Sequence, residues 1–95
     1  MPKAYLVAHI RVHDKDGYEK FRAMSGAAIA EYGGKALVRN PAADHREGAL
    51  RGTTIVLEFD DIATARRFYE SDAYTAARKV REQAAETDLL LVEGV

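Results

Sequence analysis

The chain has 95 residues, with 14 Lys and Arg against 15 Asp and Glu, a formal net charge of −1 and no cysteine. The missing cysteines exclude disulfide stapling, and cations interleaved with acids make no basic stripe of the kind a nucleic-acid groove requires. No apolar run approaches the ~18 residues of a membrane span, so neither nucleic acid nor membrane is expected as a partner.

Residues Ala4–Val12 read as a strand, with Leu6, Ala8, Ile10 and Val12 on one face and Tyr5, Val7, His9 and Arg11 on the other. Asp14 is placed to cap a helix N-terminus. The stripe Tyr18, Phe21, Ser25, Ala28, Ile29 and Tyr32 predicts that helix, and Gly33-Gly34 ends it. Lys35–Arg39 follows as a short strand. Pro41 cannot donate to a ladder, so this strand should stop at Asn40 and lie at a sheet edge. Pro41–Gly52 is a long polar connection, and long connections are more often functional than short ones. Thr53–Phe59 is β-branched and apolar almost throughout, which suits a central strand. Asp60 or Asp61 caps the next helix, with Ala65, Phe68 and Tyr69 inward. Ser71 reads as a second N-cap, so the helix should break there and resume from Asp72 to about Ala85. Asp88–Glu93 is the last strand.

The order β-α-β-β-α-β predicts a single α+β domain over residues 1–95. It is the ferredoxin-like arrangement, a four-stranded antiparallel sheet with helices on one face. A domain of this length buries only about 60–65% of its unfolded surface, so a partner subunit would help it. The uncovered sheet face would carry Val7, Val56 and part of Leu89–Val92, a patch unusual on a monomer. A homodimer is therefore expected. Met1-Pro2-Lys3-Ala4 leads into the first strand with no signal-peptide h-region, which with the absent cysteines makes the cytoplasm the expected location.

The segments Tyr32-Gly33-Gly34-Lys35-Ala36-Leu37-Val38-Arg39, Glu47-Gly48 and Val56-Leu57-Glu58-Phe59 resemble those of domain-of-unknown-function family 1330. So do Phe68-Tyr69-Glu70-Ser71-Asp72-Ala73-Tyr74, Arg81 and Asp88-Leu89-Leu90-Leu91-Val92-Glu93-Gly94. The resemblance covers essentially the whole chain. It implies a dimeric α+β barrel, two such sheets facing each other with the helices outside. Its superfamily includes small monooxygenases, isomerases, dehydratases and decarboxylases, many of them free of metal or organic cofactor. The family itself has no assigned reaction, so the resemblance implies fold and not function. Two positions depart from the family pattern: Leu50 stands where tryptophan is usual, and Phe68 where tryptophan is frequent.

His9 and His13 are four apart, but along a strand that is roughly 13 Å, too far for two ligands each about 2 Å from one zinc. No metal site is expected, and no cofactor is called for. Glu58 alternates with Leu57 and Phe59 and should face away from the helices. Burial there would lift its pKa toward a general base's range, while pairing with Arg39 or Arg11 would make it structural. Tyr69 and Tyr74 flank the helix break and offer phenols to a ligand or rings to the core. Arg39 and Arg81 match family positions and would suit a carboxylate or phosphate; surface pairing of Arg81 with Glu82 or Glu86 is the competing role. His9, Arg39, Glu58, Tyr69, Tyr74 and Arg81 are thus the candidate ligand-binding residues, with no catalytic residue assigned. Three functions stay open. One is a cofactor-independent enzyme moving protons on a small carbonyl or carboxylate compound. The others are a non-catalytic homodimeric small-molecule binding module and a structural or interaction protein.

Overall fold

A computed structural model describes residues 2–95. It contains β1 (Ala4–Val12), α1 (Lys15–Glu31), β2 (Lys35–Asn40), β3 (Thr53–Phe59), α2 (Ile62–Glu70), α3 (Asp72–Ala84) and β4 (Ala85–Glu93). The strands form one antiparallel sheet in the order β2-β3-β1-β4, the ferredoxin-like topology. Pro41 follows directly on β2, which is an edge strand, and the β-branched β3 lies inside the sheet as its composition requires.

Side-chain alternation assigns the two faces. Ala4, Leu6, Ala8 and Ile10 of β1 and Ile55, Leu57 and Phe59 of β3 are buried beneath the helices. Their neighbours Tyr5, Val7, His9, Thr54, Val56 and Glu58 point the other way and are half-buried. The core continues into an aromatic stack, with Phe59 against Phe68 at 4.9 Å and Phe68 against Tyr74 at 4.5 Å between ring centroids. At the end of α1, Gly33 takes a left-handed φ of 70°, and a Cβ on Gly34 would lie 2.8 Å from the Phe59 ring. The Gly-Gly pair therefore both turns the chain and lets it pass close over the core.

Asp14 caps α1 by accepting from the Gly17 amide, and of the two candidate aspartates Asp61 caps α2, accepting from Thr64 at 2.7 Å. The final strand begins at Ala85, three residues before the start expected at Asp88. Its pairing with β1 runs as far as Val12–Ala85, and the amides of His13 and Asp14 both donate to Ala84 O. Long-range pairing thus overrides the weak strand propensity of Ala-Glu-Thr-Asp. Among the described residues no helix is long and apolar enough to cross a membrane.

Ser71 divides the second helical segment as its composition suggests. Its Oγ donates to Phe68 O at 2.7 Å and accepts from the Tyr74 amide at 3.1 Å. One side chain thereby closes α2 and opens α3, and the bend turns Tyr74 into the core. Ser71→Ala should cost about 1 kcal/mol in chemical denaturation, and Ser71→Thr should recover most of it because a threonine hydroxyl can also both donate to Phe68 O and accept from the Tyr74 amide. Equal stability of wild type and Ser71→Ala would contradict this role.

Candidate functional site

Between α1 and the covered face of the sheet lies a cavity of about 460 Å³. Its floor is apolar: Leu6, Ala8 and Ile10 from β1, Ile55 and Leu57 from β3, and Leu89 from β4. Its roof is α1, which lines it with the buried Phe21 and Ser25 and the exposed Gly26. Small side chains at Ala8, Ser25 and Gly26 leave open the space that larger residues would fill.

At the α3 end stand Tyr74 and Arg81. Arg81 is 4% exposed. Its Nη1 donates to Tyr74 Oη at 2.6 Å, and its guanidinium carbon lies 5.2 Å from the centroid of the Phe21 ring. It forms no ion pair among the described residues, and its Nε has no hydrogen-bond partner. The surface pairing with Glu82 or Glu86 does not occur: Glu82 pairs with Arg78 at 2.9 Å, and Glu86 lies on the open side of the sheet, 3.9 Å from Arg11. A buried cation with no anion is costly unless something completes it.

At the opposite end Arg39 reaches the cavity because of a β-bulge. Lys35 pairs with Glu58 and Ala36 with Leu57, but the register then shifts, so that Val38 pairs with Val56 and Arg39 with Ile55. Without the extra residue Arg39 would have emerged on the same side as Glu58; with it, Arg39 joins Ile55 on the helix side. The expected Glu58–Arg39 pairing is thereby ruled out. Arg11 is also committed elsewhere, to Asp88 at 2.8 Å.

Burial pushes the Tyr74 phenol above its usual range, against an opposing pull from Arg81. Tyr74 therefore stays protonated while accepting from Arg81, which leaves its own O–H free to donate. Burial likewise raises Tyr18, and Arg22, Arg39 and, more weakly, Arg81 act on it in the opposite sense.

The structure gathers three of the candidate residues, Arg39, Tyr74 and Arg81, around one cavity. The other three are not on its wall. Glu58 and His9 lie on the open side of the sheet, as strand alternation requires. Glu58 is 3.5 Å from Tyr5 Oη, and His9 Nδ1 is 3.4 Å from Thr54 Oγ1. Tyr69 packs its ring on Tyr74 at 5.4 Å, outside the cavity. Sequence reasoning missed Tyr18, Arg22 and Ser25 as wall residues; a serine in the inward stripe of α1 with a glycine beside it was the available signal. Among the described residues no group of three His, Cys, Asp or Glu side chains is placed to hold a metal ion.

The model of a family described as a domain of unknown function, DUF1330, matches residues 3–95. The chain belongs to the DUF1330 family. No curated protein matches it. Among solved structures, this DUF1330 chain is similar to a protein of unknown function from Rhodopseudomonas palustris, at 16% identity and a TM-score of 0.76 over 99% of this chain and 83% of that one. It is also similar to SnoaB, a cofactor-independent oxygenase from Streptomyces nogalater, at 14% identity and a TM-score of 0.67 over 100% and 95% of the two chains. A dimeric protein of unknown function and ferredoxin-like fold from Bacteroides fragilis aligns at 12% identity with a TM-score of 0.56, over 97% and 96%. At these identities the likeness is one of fold.

In this DUF1330 protein, alkaline titration followed by phenolate absorbance, wild type minus Tyr74→Phe, should place Tyr74 above the ordinary phenol value of 10.0. The folded chain holds that proton more tightly than the unfolded chain. The resulting stability is full below pH 10.0 and fades as pH rises through the folded value. Arg81→Met should move Tyr74 higher still, because the guanidinium opposes the effect of burial. Ionisation at or below 10.0 in wild type would overturn this account.

Proposed function

We propose that the protein binds a small organic anion, a carboxylate on an apolar body, in the cavity between α1 and the sheet. The observation that carries this reading is Arg81, buried, without an acidic partner and with its Nε unengaged. A guanidinium offers two parallel N–H groups to a carboxylate. Here Nη1 is held by Tyr74, and the Nε edge faces no protein acceptor. The Tyr74 O–H supplies a further donor, and the apolar floor suits a hydrocarbon body. The volume of about 460 Å³ falls in the usual range for small-molecule sites, roughly 300–1,000 Å³.

Binding is better supported than proton transfer. No histidine lines the cavity, and the carboxylate on its wall, Glu19, is exposed and lies 3.7 Å from Arg22. Tyr18 and Tyr74 hold their protons more tightly than ordinary phenols. Neither phenol is therefore poised to take a proton near neutral pH. Likeness to the oxygenase SnoaB supports a small-molecule role and adds no catalytic group.

The protein is further proposed to act as a homodimer, two sheets facing each other as an α+β barrel. The open face exposes Val38, Leu90 at 53% and Val92 at 45%, beside Val7 and Val56. Charged pairs rim it, Lys3 with Asp60 and Arg11 with Asp88. An apolar centre within a polar rim is the anatomy of a protein interface, and the Bacteroides fragilis neighbour is dimeric.

Calorimetric titration with hexanoate should show saturable binding that weakens by about tenfold or more in Arg81→Met, the loss expected for a charge-assisted hydrogen bond. Unchanged affinity in that variant would remove the reading. The double variant Arg81→Met/Tyr74→Phe should be more stable than the unliganded wild type by about 1–4 kcal/mol, because an uncompensated buried charge goes and no partner is left unpaired. Sedimentation should give twice the 10.5 kDa of one chain, and Val56→Asp should shift the population toward that single-chain mass. A 10.5 kDa wild-type species at micromolar concentration would refute the dimer.

A further inference from the structure

The cavity has a second cationic end. Its wall includes residues of all four strands, from Leu89 on β4 to Arg39 on β2. That is three strand spacings, roughly 14 Å across the sheet. Arg81 stands on α3, which packs on β4. Arg39 stands at the far edge, where a smaller chamber of about 260 Å³ adjoins the main one. Tyr18, Arg22, Arg39, Pro41 and Thr53 line this outer chamber. The first three also belong to the main cavity, so the two spaces share a wall.

The charges there are unbalanced. Arg39 forms no ion pair among the described residues. Arg22 has Glu19 at 3.7 Å, a long and exposed contact one helical turn away. Exposed pairs of this kind hold their partners weakly. Both side chains line the outer chamber together with Tyr18, and both act on its phenol more than Arg81 does. Two separate cationic ends are thus joined by an apolar floor, and a bulge in β2 turns Arg39 toward the outer one.

We infer that the cavity takes a dianion: a molecule with a carboxylate on Arg81 and Tyr74, an apolar middle on Leu6, Ala8 and Leu57, and a second anionic head between Arg22 and Arg39. This rests on the reading of Arg81 as a carboxylate site and adds the substrate class. The inner head is bound out of water. The outer head is bound where solvent screens it, so its contribution depends on salt and the inner one far less.

The test compares straight-chain diacids with monoacids of equal length: adipate with hexanoate, suberate with octanoate, sebacate with decanoate. Calorimetric titration should find, at the length that spans the cavity, a diacid bound about tenfold tighter than its monoacid, the gain expected from one further charge-assisted contact. That ratio should shrink toward unity in Arg39→Gln and at high salt, while Arg81→Met weakens both ligands. Unchanged circular dichroism and melting of Arg39→Gln would show that the smaller ratio does not come from misfolding. If monoacids bind through Arg81 and no diacid gains over its partner, the second head is refuted and the carboxylate site stands. If the ratio survives Arg39→Gln, the outer subsite is misplaced and the inference fails. If neither ligand binds at any length, both readings fall together.

Discussion

Arg81 carries a full charge into the interior of the domain, where it is 4% exposed. A cation buried this way stays folded because its stem and guanidinium lie against Phe21 and because Tyr74 accepts one of its protons. Those contacts recover part of the several kcal/mol that desolvation takes and leave the rest uncompensated. Domains are held together by a margin of only about 5–15 kcal/mol, so such a deficit is a large share of what this small chain has to spend. The surrounding architecture follows from holding that group in place. Ser71 bends the helix so that Tyr74 turns inward, α1 supplies an aromatic face at Phe21 and then withdraws behind Ser25 and Gly26, and the sheet offers a dry floor. On the proposed reading, stability is given up where binding needs a preformed charge, a common trade between function and folding.

The sheet has two characters. Its helix side, buried along β1 and β3, floors the cavity under α1, and its other side is a broad valine- and leucine-bearing surface edged by ion pairs. Strand alternation alone separates the two. Glu58 and His9, the polar groups that stand out in the strands, therefore fall on the side away from the cavity. The proposed ligand site and the proposed dimer face lie on opposite sides of one layer, so a change on one face need not disturb the other.

Much of this was legible in the chain. Period-two alternation in Ala4–Val12 and Thr53–Phe59, the caps at Asp14 and Ser71, and the Gly33-Gly34 stop were enough for the element order and for the side on which Glu58 emerges. The site was harder to read. Arg81 shares an inward stripe with Tyr74, Ala77 and Ala84, but arginine on a helix normally keeps its head in water while its stem lies on the surface. Its burial depends on Phe21 arriving from another helix, which local pattern does not encode. Arg39 was named from the family resemblance, but the face on which it emerges was hidden by the bulge. A one-residue shift reverses every side chain beyond it, and Leu37, with its neighbours Ala36 and Val38, includes no glycine to announce one. The serine and glycine in α1 were visible as small residues, but only the packed structure shows the space they leave.

The bulge has a consequence for how this site can change over generations. The direction of Arg39 is decided between Ala36 and Val38, upstream of the long connection that begins at Pro41. Insertions or deletions in residues 41–52 therefore do not propagate backward to turn Arg39 away from the cavity. The connection leaves β2 beside the outer chamber, to which Pro41 and Thr53 contribute. Surface loops absorb such length changes readily. The rim of the pocket is thus free to diversify while Arg39 keeps its direction, so this edge can vary without rebuilding the fold.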